Sequence, residues 1–369
     1  MQIREIVEYL NSRFLPVYQE SYDNAGLLIG DVAQTAHGVL VTVDVTPDVV
    51  DEAIETGANL IVSHHPLIFG SGLKRITPDN ETGQMVMHLL QNGIAVYAAH
   101  TNLDNLSYGV NGILAEKLGL QKCTILRPLQ GELRKLVTYA PVAHAEQVRE
   151  ALFAAGAGGI GAYDHCSWSC DGEGTFRANE GCNPFCGGIG ELHHEKEVRI
   201  EVIYPSRIER KLLAELRKAH PYEEPAIDCI PLSNRLESVG AGMVGYLPHP
   251  TPAGVFLEQT KQRLGIPVIR CSALGTKGSE TPIHKVAICG GSGSFLIGDA
   301  KACGADIYLT GDLKYHDFQS AEQRIILADI GHYESEQFTK ELFYQIISEK
   351  FPNFACQISK KDRGYIEYI

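Results

Sequence analysis

Short apolar runs alternate with amphipathic stretches near both ends of this chain. In the amino-terminal part, residues 38–45, 60–63 and 94–98 are mainly apolar runs of strand length, separated by longer stretches with helical spacing. Such alternation favours βαβ units and a mostly parallel sheet. Ligands of open sheets of this type bind outside the carboxyl ends of the strands. The sequence therefore predicts a functional site where these runs end.

The pattern occurs a second time toward the carboxyl terminus. Residues 39–65 align without a gap on residues 286–312, and with one residue of slip the pair His100 and Asp104 aligns on the pair His332 and Glu336. Two βα layers can look alike by convergence, but the ungapped length favours a duplication.

A segment between the two halves does not fit the repeat. Its predicted order of elements resembles the βαββαβ order of a ferredoxin-type plait, and its Gly- and Cys-rich part, residues 156–190, resembles an irregular connection. We therefore predict an α/β protein whose two pseudo-symmetric halves, residues 1–128 and 233–369, form one core. Residues 129–232 are predicted to be an inserted ferredoxin-like α+β domain.

Composition narrows the class of protein. The 369 residues are 44% hydrophobic and 21% charged, as is ordinary for a globular protein, and the net charge is −13. The acidic balance disfavours a non-specific nucleic-acid or anionic-membrane surface, although a bound metal would still permit a phosphate-bearing ligand. No run reaches the roughly 18 apolar residues of a membrane span. Ten cysteines without a signal peptide favour reduced thiols and a cytoplasmic location.

Side chains that bind metals follow the predicted strands in both halves. The candidate ligands are His64, His65, Asp104, His332 and Glu336. Histidines combined with carboxylates suit zinc, manganese, iron or cobalt and fit calcium poorly. The carboxylate of Glu336 has two oxygens, so it could bridge two divalent cations, which would activate a water and hold a phosphate or carbonyl oxygen.

Neighbouring polar residues leave alternatives open. His100 could be a further ligand or could orient Asp104 from outside the ligand set. Asp312 and His316 could exchange protons with a substrate, or could cap a strand–helix junction. Residues 290–294 resemble a phosphate-binding glycine loop, but a tight connection would have the same composition.

The cysteines and histidines of the insert are also ambiguous. Cys166, Cys170, Cys182 and Cys186 could form a structural zinc site, or could belong to an irregular loop, because their spacing is Cys-x3-Cys rather than the commoner x2 form. The pair at residues 193–194 precedes a charged run in an apparent turn and is predicted to be solvated.

Several motifs together resemble the NGG-interacting factor three-like family of dinuclear-metal-centre proteins, often named GTP cyclohydrolase I type 2 homologues. The matching motifs lie at residues 23–27, 63–66, 100–104, 291–294, 310–316 and 331–336. The insert, including residues 220–226, resembles the PII/CutA-like domain of longer members. The resemblance implies two divalent ions per chain bound by the five candidate ligands. It also implies a toroidal homohexamer with the metal sites facing an internal cavity.

Two functions remain in competition. The first is a metal-dependent hydrolase acting on a nucleotide or another phosphorylated small molecule; hydrolytic opening of the purine ring of GTP is implied by the resemblance alone. The second is a non-catalytic, metal-binding hexameric scaffold with a ligand-sensing insert. DNA binding through a ring-shaped assembly is disfavoured by the acidic balance.

Overall fold

The protein has a mixed α/β fold, seen in a computed structural model that describes residues 1–70, 72–274 and 278–369. The strands are β1 Gly26–Ile29, β2 Val39–Thr42, β3 Leu60–Ser63, β4 Ala95–Ala98, β5 Gln121–Gln130, β6 Leu133–Pro141, β7 Ser167–Arg177, β8 Leu192–Pro205, β9 Ile227–Pro231, β10 Arg235–Pro252, β11 Arg270–Cys271, β12 Pro282–Ser292, β13 Ile307–Gly311, β14 Ile326–Asp329 and β15 Cys356–Ile358. The helices are α1 Ile3–Arg13, α2 Pro47–Thr56, α3 Glu81–Gln91, α4 Thr101–Asp104, α5 Val110–Leu118, α6 Ala145–Ala155, α7 Glu209–Ala219, α8 Ala253–Leu264, α9 Ile297–Ala302, α10 Tyr315–Gln319, α11 His332–Glu336 and α12 Thr339–Lys350.

The chain divides into two compact units. The first unit joins the two ends of the chain, Met1–Pro128 and Glu237–Ile369, and the second is Leu129–Leu236. Strands β5 and β10 carry the chain across the two unit boundaries.

The first unit contains two sheets. The five-stranded sheet has the order β1-β4-β3-β2-β15, with β15, β2, β3 and β4 parallel and β1 antiparallel at the edge. The six-stranded sheet has the order β11-β14-β13-β12-β10-β5, in which β12, β13 and β14 are parallel and β11 is antiparallel to β14. The first sheet therefore has four consecutive parallel strands and the second has three, and within each sheet the carboxyl ends of these strands lie at the same edge.

The central strands are apolar because they are covered on both faces. All four residues of β3 are buried, as are all four of β2 and of β4. Strands of a parallel sheet covered on both sides have this continuous apolar composition rather than an alternating one. Helix α2 follows β2 with Pro47 in its first turn and Thr46 accepting a hydrogen bond from the Val49 N–H, and it ends at Gly57 with a left-handed φ of 72°.

The second unit has a different architecture. Its elements follow the order β6, α6, β7, β8, α7, β9, and its sheet has the antiparallel order β7-β8-β6-β9. Helices α6 and α7 pack against the sheet through a cluster of buried side chains. The members of this cluster include Leu136, Val148, Leu152, Ile200 and Leu212.

Two expectations for the insert are wrong. The Gly- and Cys-rich residues 156–190 are not irregular throughout, because β7 runs through them and pairs with β8 over its whole length. Residues 193–194 lie within β8 rather than in a turn. Strand β7 is almost wholly exposed and contains Gly172 and Gly174, so the apolar alternation that marks most strands is missing. Hydrogen-bonded pairing with β8, rather than burial of its own side chains, makes this segment a strand.

Within the described part of the chain, the helices are all too short or too polar to cross a lipid bilayer.

Candidate metal centre

Histidines and carboxylates from both sheets of the first unit meet at one place. His64 and His65 follow β3, and His100 follows β4. From the other sheet, His332 and Glu336 lie on the short helix α11 after β14. These are carboxyl ends of parallel strands, where ligand sites of open α/β sheets occur.

His64 is completely buried and has a defined tautomer. Its Nδ1 lies 2.8 Å from the carbonyl oxygen of Ala99, which only accepts, so Nδ1 carries the proton and donates it. The other ring nitrogen, Nε2, is therefore unprotonated, and burial lowers the pKa of the ring. This Nε2 lies 3.5 Å from Oδ1 of Asp104 and 3.5 Å from Oε1 of Glu336, and it has no hydrogen-bond partner. A buried lone pair thus faces two carboxylate oxygens.

His65 lies between two carboxylates. Its Nδ1 is 2.8 Å from Oδ1 of Asp44, and its Nε2 is 2.9 Å from Oε2 of Glu336. Burial alone lowers the pKa of His65, but the hydrogen bonds to Asp44 and Glu336 outweigh it and raise the pKa to about 10. The ring is accordingly protonated on both nitrogens, and the Nε2 proton occupies a position that a cation could take.

His332 has the same arrangement in the second sheet. Its Nδ1 lies 2.7 Å from Oδ2 of Asp312, and its Nε2 lies 3.2 Å from Oε2 of Glu336. Burial acts to lower the pKa of His332, but the hydrogen bond and charge of Glu336, together with the hydrogen bond to Asp312, raise it to about 9. Asp312 follows β13 directly and has a left-handed φ of 57°, which aspartate tolerates better than most residues.

His100 also directs one nitrogen toward the others. Its Nδ1 is 2.7 Å from Oδ1 of Asp23, and its ring centroid is 5.4 Å from that of His64. Burial would raise the pKa of Asp23, but hydrogen bonds from His100 and Thr101 lower it to about 2. All four histidines therefore have Nδ1 engaged by a carboxylate or carbonyl oxygen, so Nε2 is the nitrogen that could bind a metal. Outer hydrogen bonds of this kind are typical of histidine ligands.

Glu336 is the residue that the histidines share. Its side chain is 3% exposed, and its two oxygens face different groups: Oε1 faces His64, and Oε2 faces His65 and His332. Burial works to raise the pKa of Glu336, but the surrounding histidines hold it well below its usual range. The carboxylate is therefore ionised although it is buried.

Asp104, at the end of α4, is the second carboxylate of the centre. Burial and the negative charge of Glu336 raise the pKa of Asp104 well above its usual range. Its Oδ1 is buried without a hydrogen-bond partner. An unpaired oxygen opposite an unpaired imidazole nitrogen is costly in a protein interior unless a cation lies between them.

A glycine makes room for Glu336. Gly291, near the end of β12, has a φ of 62°, and a Cβ atom built on it would lie 2.2 Å from Oε1 of Glu336. Its N–H donates to the hydroxyl of Ser335, which lies beside Glu336 on α11. Of the two interpretations of residues 290–294, this close approach favours a tight connection shaped around the carboxylate.

The ligand atoms form three overlapping groups, each with all its atoms within 4.8 Å of one another. The groups are His64, His65 and His100; His65, His332 and Glu336; and His64, Asp104 and Glu336. Imidazole nitrogens with carboxylate oxygens at these separations fit zinc, manganese, iron or cobalt. The residues present therefore fit bound divalent metal.

The other residues singled out in the sequence lie at different distances from this centre. Asp312 adjoins the centre through His332, whereas His316 is exposed on α10 and belongs to none of the ligand groups among the described residues. The four insert cysteines do not form one ligand group in the part of the chain that the structure describes; Cys170 lies on β7, and only Cys186 has metal-binding neighbours.

Two carboxylates that orient histidines were not assigned this role from the sequence. Asp44 follows β2 at the same edge of the sheet as His65, and Asp23 precedes β1 within the first family motif. The position of Asp44 after a strand was the available signal. For Asp23, membership of a motif gave no indication of which histidine it contacts.

Comparisons of the sequence and of the fold with known proteins find similar relatives. A model of the family described as Duf34/NIF3 (NGG1p interacting factor 3) matches residues 1–363. A Halalkalibacterium halodurans protein named GTP cyclohydrolase 1 type 2 homolog is 40% identical over 333 residues, covering 89% of this chain and 88% of that protein. A Bacillus subtilis protein of the same name is 39% identical over 340 residues, covering 92% and 90% of the two chains.

Two solved structures resemble the whole chain. A Bacillus cereus protein related to NIF3 superimposes with a TM-score of 0.85 at 39% identity, covering 100% of this chain and 99% of that one. The Staphylococcus aureus protein SA1388 superimposes with a TM-score of 0.79 at 31% identity, with the same coverage.

Proposed function

This chain belongs to the Duf34/NIF3 family, and from that premise we propose that its histidine–carboxylate centre binds two divalent metal ions and serves a metal-dependent hydrolase. The observation that carries the proposal is the position of Glu336. One of its oxygens faces His64, across from Asp104, and the other faces His65 and His332. A carboxylate in this position can bridge two ions.

Each side chain has a distinct part in the proposal. His64, Asp104 and Oε1 of Glu336 would hold one ion, and His65, His332 and Oε2 of Glu336 would hold the other. The proximity of His100 to His64 and His65 supports a further ligand role for it in this proposal. When bound, two such ions supply Lewis acidity that activates a water and stabilises charge on a phosphate or carbonyl oxygen.

Two carboxylates outside the ligand set, those of Asp44 and Asp312, orient two of the histidine ligands. Asp44 and Asp312 accept the Nδ1 protons of His65 and His332, which fixes the ring orientation and the tautomer. The protons now on Nε2 of these two rings would leave when metal binds, because a metal ligand must be deprotonated there. Asp312 and His316 are also the proposed proton-transfer groups, and Asp312 is the one that adjoins the centre.

The names of the relatives support the proposed substrate class. Curated relatives carry the name GTP cyclohydrolase 1 type 2 homolog, so we propose opening of a purine ring or cleavage of a phosphoester in a nucleotide-like substrate. A toroidal homohexamer with the centres facing an internal cavity belongs to the same proposal.

We also propose that the first unit consists of two related halves and that the second unit is an inserted domain. The matching parallel orders β4-β3-β2 and β14-β13-β12 support two pseudo-symmetric halves derived by duplication. The βαββαβ order and the strand order β7-β8-β6-β9 support an inserted ferredoxin-like, PII/CutA-like domain at residues 129–232.

A second candidate function, ligand sensing by the insert, is favoured by one observation. A cavity of about 760 Å³ lies within the second unit, a size typical of small-molecule sites. Its lining includes the aromatic side chains of Tyr139, Phe176, Phe185 and Tyr222. In this alternative the metal centre is structural and the chain is a non-catalytic scaffold.

Turnover by protein with a defined metal content distinguishes the two functions. Full-length protein loaded separately with zinc, manganese, iron or cobalt is assayed against GTP and a panel of phosphoesters, and the Glu336→Gln variant is assayed in parallel. The proposal expects metal-dependent hydrolysis that the variant lacks. Metal bound at the centre without turnover of any substrate would contradict the hydrolase and favour the scaffold. Activity that persists in Glu336→Gln would also contradict it.

A further inference from the structure

A second group of metal-binding side chains lies in the insert, apart from the centre described above. The thiol of Cys186, an imidazole nitrogen of His193 and a carboxylate oxygen of Glu195 all lie within 4.8 Å of one another. We propose that these three residues bind a single zinc-type divalent cation. This inference does not depend on the proposed hydrolase function.

The backbone brings the three ligands together in a simple way. His193 and Glu195 are two residues apart on β8, so their side chains project from the same face of the strand. Cys186 belongs to the connection between β7 and β8, which returns to that face. The Nε2 atom of His193 lies 2.9 Å from Oε2 of Glu195.

Packing holds the histidine in place. The ring of His193 lies 5.2 Å from that of Phe176, on the neighbouring strand β7. Gly187 also lies against the histidine: a Cβ atom added to it would lie 2.9 Å from the Cβ of His193, and Gly187 has a left-handed φ of 77°. The glycine thus allows the residue after Cys186 to pass directly against the histidine. A side chain fixed in this way loses little entropy when it binds a metal.

The ligand set determines which cation it suits. Thiolate, imidazole and carboxylate together are ligands of zinc and of cobalt, whereas calcium and magnesium prefer oxygen alone. The side chains of His193 and Glu195 are 27% and 28% exposed, so solvent can reach the group. Three protein ligands with room for an external fourth form the open type of zinc site. Binding would replace the thiol proton of Cys186 and the proton between His193 and Glu195, which pass to solvent.

Another function of the same residues fits less well. A cysteine nucleophile needs its histidine as the adjacent base. Here Nε2 of His193 lies 2.9 Å from Oε2 of Glu195 and so contacts the carboxylate. The three ligand atoms also lie within 4.8 Å of one another, as in a shared metal site.

Cobalt provides a readout that the first centre cannot give. The ligands of that centre are nitrogen and oxygen only, so a sulfur-to-cobalt charge-transfer absorption reports the cysteine site. Full-length protein, freed of metal with a chelator and kept reduced, is titrated with Co²⁺. The wild-type chain is expected to develop this absorption with an amplitude that corresponds to one sulfur-bound cobalt ion per chain. The Glu336→Gln variant, which alters only the first centre, should retain it.

Variants identify the sulfur and the imidazole. Cys186→Ser should abolish the absorption, whereas Cys182→Ser, a matched change four positions earlier, should leave it intact. His193→Gln should weaken cobalt binding by about tenfold or more. Circular dichroism of each variant verifies that the fold is retained. The proposal is overturned if the wild-type chain shows no sulfur-to-cobalt absorption, or if the absorption survives Cys186→Ser or depends on Cys182.

Discussion

Nε2 of His65 and Oε2 of Glu336 lie 2.9 Å apart, although 271 positions separate the two residues in the chain. His65 follows β3 of the five-stranded sheet, and Glu336 lies on α11 after β14 of the six-stranded sheet. The contact joins the carboxyl ends of the two sheets within the first unit. The centre can therefore form only when both ends of the chain have folded together.

The close approach of Gly291 to Glu336 predicts a variant that affects metal binding through the backbone. Gly291→Ala would place a methyl group 2.2 Å from Oε1 of Glu336 and must displace the carboxylate. Gly57→Ala is the matched control, because Gly57 also has a left-handed φ but its Cβ would meet nothing within 4 Å. Both variants should lose about 1 kcal/mol or more of unfolding free energy, since an L-residue is strained in this region. Only Gly291→Ala should lose metal affinity in a competition titration, and equal affinities would refute this role of the glycine.

The carboxylates that orient the histidines predict a graded effect. Asp44→Asn and Asp312→Asn should each lower metal affinity about 10- to 100-fold, because the amide cannot fix His65 or His332 in the same way. Asp51→Asn, on the exposed surface of α2, is the control and should leave the affinity unchanged. Isothermal titration of full-length protein measures all three. Affinity equal to wild type in both test variants would mean that these hydrogen bonds are incidental.

Removal of metal should loosen the centre locally. Without a cation, Oδ1 of Asp104 and Nε2 of His64 are buried without partners, and the two carboxylates of the centre repel each other. Hydrogen–deuterium exchange should therefore become faster at residues 64–66 and 331–336 after chelation. Helix α6 of the second unit is the internal control and should not change. Equal exchange in all of these segments with and without chelator would contradict metal binding at the centre.

A buried ion pair fastens the carboxyl-terminal segment beside the centre. Nζ of Lys340 lies 2.8 Å from Oδ2 of Asp362, whose side chain is fully buried and also accepts from the N–H of Val43. Lys340→Met leaves this carboxylate unpaired and should lower the free energy of unfolding by about 3–5 kcal/mol. Lys117→Met removes a more exposed pair with Glu341 and should cost under about 1 kcal/mol. Chemical denaturation compares the two, and equal losses would contradict the buried pair.

The same pair predicts a dependence of stability on pH. Burial alone lowers the pKa of Lys340, but the hydrogen bond and charge of Asp362 outweigh it, so the pKa is raised. A raised lysine pKa stabilises the folded state fully below the unfolded value of about 10.4. This stabilisation should be lost as the pH rises through the folded value. In Lys340→Met the corresponding decline at high pH should be smaller, which denaturation at several pH values can measure.

The sequence indicated the candidate ligands because their side chains are chemically distinctive and follow recognisable strands. His64 and His65 come directly after an apolar run, and the pair His332 and Glu336 repeats the spacing of His100 and Asp104. The repeated spacing thus predicts two sets of ligands. Membership of the family, anticipated from the same motifs, is confirmed over residues 1–363.

Other features depend on contacts that no local pattern records. Asp23 and Asp44 are ordinary acidic residues in sequence, and their partners become evident only when the strand ends meet. Strand β7 was missed because its residues are exposed and its register is set by β8. The group of Cys186, His193 and Glu195 is not evident from the sequence. Two of its members lie in a segment whose composition predicts a turn.

The most direct test of the proposed bridging role of Glu336 is a comparison of metal content. Wild type, Glu336→Gln and the exposed-site control Glu341→Gln are purified without an affinity metal, saturated with zinc, desalted and analysed by mass spectrometry. Loss of the bridging carboxylate should reduce bound zinc by about two ions per chain relative to wild type, and Glu341→Gln should match wild type. Equal zinc content in wild type and Glu336→Gln would contradict a dinuclear centre built on this residue.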